Sequence, residues 1–258
     1  MLRVETYTSY DPGVAVNSHL IMREKEAILV DAQFLRSEAK KVVEMIKESG
    51  KSLKAVFITH SHPDHFMGLE ILTKEFPEAK VVAIRQVADL IKNSGQGYID
   101  RWKPVFKDDF ADNFVVPEAL SADGNELTIE GEKMQVIELG AGESDYAAAL
   151  YIPSLKTLVA GDVAYNRVHL WLVGNSIEGW LNNIEKVDRI GDIEKVLPGH
   201  GEPTDHSVLE VDKKYIRDFT QFISPPTTKD EAVNKIKREY PDYRLPMILE
   251  LSVESRMK

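Results

Sequence analysis

The sequence predicts an α/β protein built as a four-layer sandwich, with two β-sheets face to face and helices covering them outside. Three observations carry this. Strands and helices alternate through the first half in a βαβ grammar. The pattern falls into two blocks, at about 1–125 and 126–206, with no linker-like stretch between them. Strands such as "AVFIT" (55–59) are continuous apolar runs, as expected where both faces of a strand are buried. At 258 residues the chain can bury a large core, and one domain over 1–258 is expected, with a helical C-terminal extension at about 207–258.

The opening reads as three strands, "LRVETYT", "AVNSHLIMR" and "EAILVDA", joined by turns at Asp11-Pro12-Gly13 and Glu24-Lys25. From Leu35, apolar positions at Ala39, Val42, Val43 and Ile46 share one helix face, and Gly50 ends that helix. "AVFIT" leads into a helix from about Phe66, then strand "KVVAI", then a helix through Val87, Leu90 and Ile91. Residues 95–125 contain glycines, aromatics and acids without clear periodicity, which predicts a surface loop or lid carrying Tyr98, Trp102, Phe106 and Phe110. Strands resume as "NELTIE", "KMQVIEL", "AALYI" and "TLVAG". A helix then starts near Ser176, with Ile177, Trp180, Leu181, Ile184 and Val187 on one face, and "EKVLPG" is the last clear strand. The tail is helical. Ser207 with Glu210 and Thr228 with Glu231 read as capping boxes, and Pro241 stops the second of these helices.

Composition narrows the partners. The chain has 32 basic and 42 acidic residues, a net charge of −10, with the basic residues scattered and not striped, which argues against nucleic acid or an anionic membrane. No segment approaches the ~18 apolar residues of a membrane span, and the start lacks a signal-like apolar core, so a cytoplasmic protein acting on a small molecule is expected. With no cysteine, any metal must be held by His, Asp, Glu or backbone oxygen.

Of seven histidines, three fall in "THSHPDH" (59–65). His60 and His62 stand two apart on a loop, and Asp64 with His65 follows at the next turn. That spacing suits two neighbouring metal ions, whereas a polar loop capping a helix would need only Asp64. Glu143, Asp162 and His200 each follow a strand-like run, and in α/β sheets the carboxyl ends of strands converge on the ligand site. Taken singly, an aspartate after a strand is an ordinary turn residue.

Taken in order, Asp31 in "ILVDA", "THSHPDH", Gly142-Glu143-Ser144, "AGD" at 160–162 and "PGHG" at 198–201 resemble the motifs of the metallo-β-lactamase superfamily, nearly to residue 206. The resemblance implies an αββα fold of two mixed sheets. It also implies that His60 and His62 bind one metal, that Asp64, His65 and His200 bind a second, that Asp162 bridges them and that Asp31 braces the site. The sequence departs from the family at Glu143, where a histidine is usual. No histidine lies between His65 and His169, so a carboxylate must replace it, Glu143 or alternatively Asp145, or the first metal is lost. Two divalent ions are expected, zinc first, with iron or manganese also suited to a His₂-carboxylate set.

The function this implies is hydrolysis of a small ester, thioester or lactone by hydroxide held between the ions, with Asp64 orienting the nucleophile or carrying its proton. Tyr165, Asn166, His169 and Trp171, just after the bridging aspartate, are the candidate substrate contacts, although Tyr165 and Trp171 also suit a core and His169 a loop hydrogen bond. The alternatives are an alkylsulfatase-type hydrolase, a di-iron redox protein and a catalytically silent metal-binding scaffold.

Overall fold

A computed structural model describes residues 1–121, 126–174 and 176–257. Among these, six strands form the first sheet in chain order. β1 (Arg3–Thr8), β2 (Asn17–Met22) and β3 (Glu26–Val30) are antiparallel neighbours, and β4 (Ser52–Phe57), β5 (Lys80–Ala83) and β6 (Glu118–Ala119) follow in parallel. Helices make the parallel crossovers: α1 (Arg36–Ser49), then α2 (Pro63–Phe66) with α3 (Leu69–Glu75), then α4 (Arg85–Phe106). Gly50 closes α1 in a left-handed conformation, φ 67°, which a glycine adopts without steric cost.

The second sheet is built in reverse order from β12 (Thr204–Asp205), β11 (Lys195–His200), β10 (Thr157–Tyr165), β9 (Ala147–Ile152), β8 (Glu132–Leu139) and β7 (Glu126–Ile129). β10 and β11 run parallel, joined through α5 (Ile177–Asp188), and the other neighbours are antiparallel. This is the expected pair of mixed sheets flanked by helices. Asn125, at the start of "NELTIE", and residues 122–125 at the end of the expected loop lie outside the described residues.

Side-chain alternation sorts the core into two clusters. Met134, Val136, Leu150 and Ile152 point into the space between the sheets, toward the face of the first sheet that carries Ile21, Ile28, Val30 and Phe57. Their neighbours Leu139, Ala149 and Tyr151 point the other way, into a cluster shared with Trp180 and Ile184 of α5 and with α6 (Val208–Phe222), α7 (Lys229–Glu239) and α8 (Pro246–Arg256). The tail is built from these three helices, and no described helix is long and apolar enough to cross a membrane.

Three local expectations are corrected. Residues 95–106 are not a loop, because α4 runs through Gly95, Gly97 and Pro104 to Phe106. Gly95 serves packing there: a Cβ on it would lie 2.4 Å from the Phe114 ring, so the helix needs the small residue to let Phe114 dock. Of the aromatics that suggested a lid, Trp102, Phe106 and Phe110 meet the Phe34 ring edge-on at 5.9, 5.2 and 5.2 Å, and Tyr98 meets Phe66 at 6.1 Å. The helix expected from Phe66 is split into α2 and α3, because the backbone turns aside to bond residues after β3: Ala32 N–H donates to His65 O and Gly68 N–H to Gln33 O. Ser207 makes no capping box, since its hydroxyl donates to Asp205, whereas Thr228 and Glu231 form one as read.

The sheets are stitched together where the motif loops emerge. His60 bridges to Ala147, Val16 bridges to His200, and the Ala148 and Gly201 N–H groups donate to Thr59 O and Ala15 O. Truncating Phe34 to alanine is expected to destabilise the protein by about 3–5 kcal/mol in urea unfolding, as for a large buried aromatic. A loss below about 1 kcal/mol would show that the Trp102–Phe110 segment is held by something else.

Candidate metal centre

The site begins with a strained turn. Asp31 follows β3 at φ 60°, a conformation that turns its carboxylate back under the loop after β4. Its two oxygens accept from Thr59 N–H at 2.9 Å and the Thr59 hydroxyl at 2.8 Å, and Oδ2 also lies 2.8 Å from His65 Nδ1. Thr59 in turn holds His60, with Oγ1 3.1 Å from His60 Nδ1. His200 Nδ1 lies 2.7 Å from Val14 O. Because each of these Nδ1 atoms faces an acceptor, Nδ1 carries a proton and Nε2 is the atom turned to the opposite side of the ring, free for a cation or for a second proton.

Those Nε2 atoms converge on carboxylates. Asp162, at the end of β10, lies between them: one or other of its oxygens is 3.6 Å from His60 Nε2, 3.2 Å from His65 Nε2 and 3.3 Å from His200 Nε2. Glu143 Oε1 is 3.1 Å from His62 Nδ1, and Oε2 is 3.7 Å from His60 Nε2. Asp64 Oδ2 is 3.5 Å from His65 Nε2 and 3.3 Å from His200 Nε2. His60, His62, Glu143 and Asp162 form one group able to hold an ion, and Asp64, His65 and His200 form a second. All seven residues named from the sequence as ligands thus come together, and Glu143 stands with His60 and His62.

The donor atoms fit cations. Two ligands of one tetrahedral zinc, each ~2.0–2.1 Å from it, are about 3.3 Å apart, close to the spacings seen. His60 Nε2, His65 Nε2, both Glu143 oxygens and Asp162 Oδ1 are buried with no hydrogen-bond partner in the chain. Such groups are costly to bury unless something satisfies them, and a cation satisfies lone pairs of this kind. Protons otherwise share the site. Burial works against a charged His62 and a charged His200, but Glu143 beside the first and Asp162 beside the second outweigh it, raising them to about 9 and about 10. Burial raises Glu143 to about 7 despite His62 next to it. His60 is pushed well down by burial and by His65, which leaves its lone pair free.

The rim residues divide. The Tyr165 hydroxyl donates to Asp162 Oδ2 at 2.6 Å, and its ring stacks on His200 at 4.7 Å, so it belongs to the centre. Asn166 is half-buried and its amide donates to Glu202 O. Trp171 is half-buried against the second core cluster. His169, expected at the rim, is 1% exposed and packs beside Tyr215 and Tyr243 of the C-terminal region, with Nδ1 2.8 Å from the Tyr215 hydroxyl; it is a core histidine satisfied by a tyrosine. Two supporting residues escaped the sequence reading. Thr59 lay inside the quoted motif without a role. Gly199 read as a turn residue, yet a Cβ there would fall 1.9 Å from Asp162 Oδ1, so the glycine makes room for that carboxylate.

The sequence pattern of the metallo-beta-lactamase superfamily matches residues 11–200. The chain is 27% identical over 214 residues to a metallo-beta-lactamase type 2 of Bacillus cereus, covering 80% of this chain and 75% of that one. It is 26% identical over 254 residues to a linear primary-alkylsulfatase of Pseudomonas sp. (strain ATCC 19151), covering 81% of this chain but 48% of the relative. A hydroxyacylglutathione hydrolase of Prochlorococcus marinus is 26% identical over 184 residues, 69% of this chain and 62% of that one. The solved metallo-beta-lactamase from Pontibacter korlensis shares the fold, with a TM-score of 0.65 at 20% identity over 84% of this chain and 99% of that one. The chain therefore belongs to the metallo-beta-lactamase superfamily and is a metal-dependent hydrolase of that superfamily.

A cation must displace the protons on His62, His200 and Glu143, so affinity is expected to rise with pH through the window from about 7 to about 10 set by these groups. The sign follows from competition, since below each value the proton occupies the ligand; the slope is about tenfold per pH unit for each proton displaced. Calorimetric titration of zinc into metal-free protein in buffers of different ionisation enthalpy measures the protons released, and a count of zero would show that these groups are not ligands.

Proposed function

We propose that the seven residues hold two divalent cations, zinc first, and that the enzyme hydrolyses a small ester-like substrate: an ester, thioester or lactone. The observation that carries this is the convergence of His60, His65 and His200 Nε2 on Asp162, with His60 Nε2, His65 Nε2, both Glu143 oxygens and Asp162 Oδ1 buried and unpartnered in the chain. His60, His62 and Glu143 would hold one cation, Asp64, His65 and His200 the other, with Asp162 shared. When bound, the cations supply the positive charge that makes water acidic at neutral pH and that draws electrons from an acyl carbonyl.

The chain's own residues do the rest. Asp64, the ligand carboxylate with the most solvent access at 16% of its side chain, orients the attacking water and takes up its proton. Water adds to the acyl carbon, the bond to the alkoxide or thiolate breaks, and the leaving group regains a proton. Tyr165 keeps Asp162 turned inward through its hydroxyl and presents its ring edge at the site. Three carboxylates against two dications would leave the centre less positive than two carboxylates would, which weakens its pull on an anionic phosphodiester or sulfate. The likeness to the Prochlorococcus hydroxyacylglutathione hydrolase supports a thioester.

Glu143→Ala is expected to lower bound metal by up to one equivalent and to reduce kcat/KM by at least ~10²-fold, more than loss of an outer-shell partner of a ligand; full metal content in the variant would remove Glu143 from the ligand set. His62→Ala should remain folded by circular dichroism while losing turnover. A panel of lactones, thioesters, phosphodiesters and alkyl sulfates on the wild type identifies the substrate class, and turnover confined to sulfates would overturn the ester reading.

A further inference from the structure

His200 is the ligand candidate that arrives last in the chain, on the second sheet, yet the first sheet grips it. Val14 and Ala15, which precede β2, sit at φ 57° and 53°. A β-branched residue rarely adopts that conformation, and backbone strain of this kind persists where the surroundings enforce it. Here it aims the Val14 carbonyl at His200 Nδ1 and leaves the Ala15 carbonyl to accept from Gly201 N–H at 3.0 Å. Val16 forms the bridge to His200. Asn17, 1% exposed, completes the grip: its amide donates to Pro198 O at 2.8 Å and to Gly201 O at 2.6 Å, one carbonyl on each side of His200. The Thr8 hydroxyl donates to Asn17 Oδ1 at 2.6 Å, which fixes which way the amide faces. His60 and His65 are held separately, by Thr59 and Asp31.

We infer that the Val14–Asn17 segment is a cradle that sets the affinity of the cation site containing His200, with Asn17 as its positioning residue. Asn17 does not touch the site itself. It holds the two carbonyls that define how the His200 backbone enters, so an error there misplaces one ligand of one ion and leaves the other ion's ligands in place. This rests on the proposed role of His200 as a ligand.

Cobalt(II) titration of the metal-free full-length protein, read by d–d absorption in the presence of a competing chelator, resolves two successive equivalents. In Asn17→Asp an oxygen replaces the donor facing two carbonyls, and the second equivalent is expected to bind ~10–100-fold more weakly while the first is unchanged. Wild-type affinity for both equivalents in a folded Asn17→Asp protein would overturn the cradle. If circular dichroism shows that this variant does not fold, Thr8→Val decides: by freeing the amide to turn, it should weaken the second equivalent several-fold, and no change would overturn the inference. His200→Ala keeps the two claims apart. Retention of the second equivalent in that variant would refute His200 as a ligand, whereas its loss there combined with its retention in Asn17→Asp would refute the cradle alone.

Discussion

The constraint on which this structure depends is electrostatic: Asp162 is buried among three imidazoles, with one oxygen unpartnered in the chain. Taking a carboxylate out of water costs several kcal/mol unless charge or hydrogen bonds replace the solvent. The fold answers from all sides. His60, His65 and His200 lie within 3.6 Å, Tyr165 donates to the second oxygen, and Gly199 has no side chain that would occupy the carboxylate's place. Because the imidazole Nδ1 atoms are already engaged by Thr59, Asp31 and Val14, each ring has one rotational solution, with Nε2 inward.

That solution requires two sheets to meet at one edge. The βαβ units of the first sheet deliver Asp31, His60 and the α2 turn at the carboxyl ends of parallel strands. The second sheet delivers Asp162 from β10, His200 from the end of β11 and Glu143 from the segment between β8 and β9, and the bonds from Ala148 N–H to Thr59 O and from Gly201 N–H to Ala15 O tie the two sheets together beside them. Packing and chemistry are therefore linked: the apolar residues shared between the sheets hold the edges in register, and the edges carry the ligands. The aromatic cluster around Phe34 anchors α4 and the segment after it on the flank of the first sheet, so the long helix is a packed wall of the molecule.

Glu143 gives the centre its individual character. A neutral imidazole in that place would leave more positive charge on the cations, whereas a carboxylate buried beside His62 and His60 lowers it and binds a proton near neutral pH when no cation is present. Cation and proton would compete for the same oxygens.

Much of this was legible in the chain itself. The "THSHPDH" cluster, Asp162 after an apolar strand and His200 in "PGHG" named residues that the structure brings together, and the alternation of strand and helix named the layers, because donor chemistry and side-chain periodicity are local properties of sequence. The 95–106 stretch misled because it is aromatic-rich and shows no clear period, when its irregularity at Gly95 answers to a ring from residue 114. His169 looked like a rim residue by its distance from Asp162 along the chain, but its partner Tyr215 comes from a helix 46 residues on. Asn17 carried no signal, since the carbonyls it bonds lie more than 180 residues away. The sequence by itself determined which atoms could bind a cation and on which kind of element they would stand. Only the tertiary structure decided that Glu143 closes on His62, that Tyr165 turns to Asp162 and that the first sheet grips His200, because each of these depends on distances between segments that local sequence does not encode.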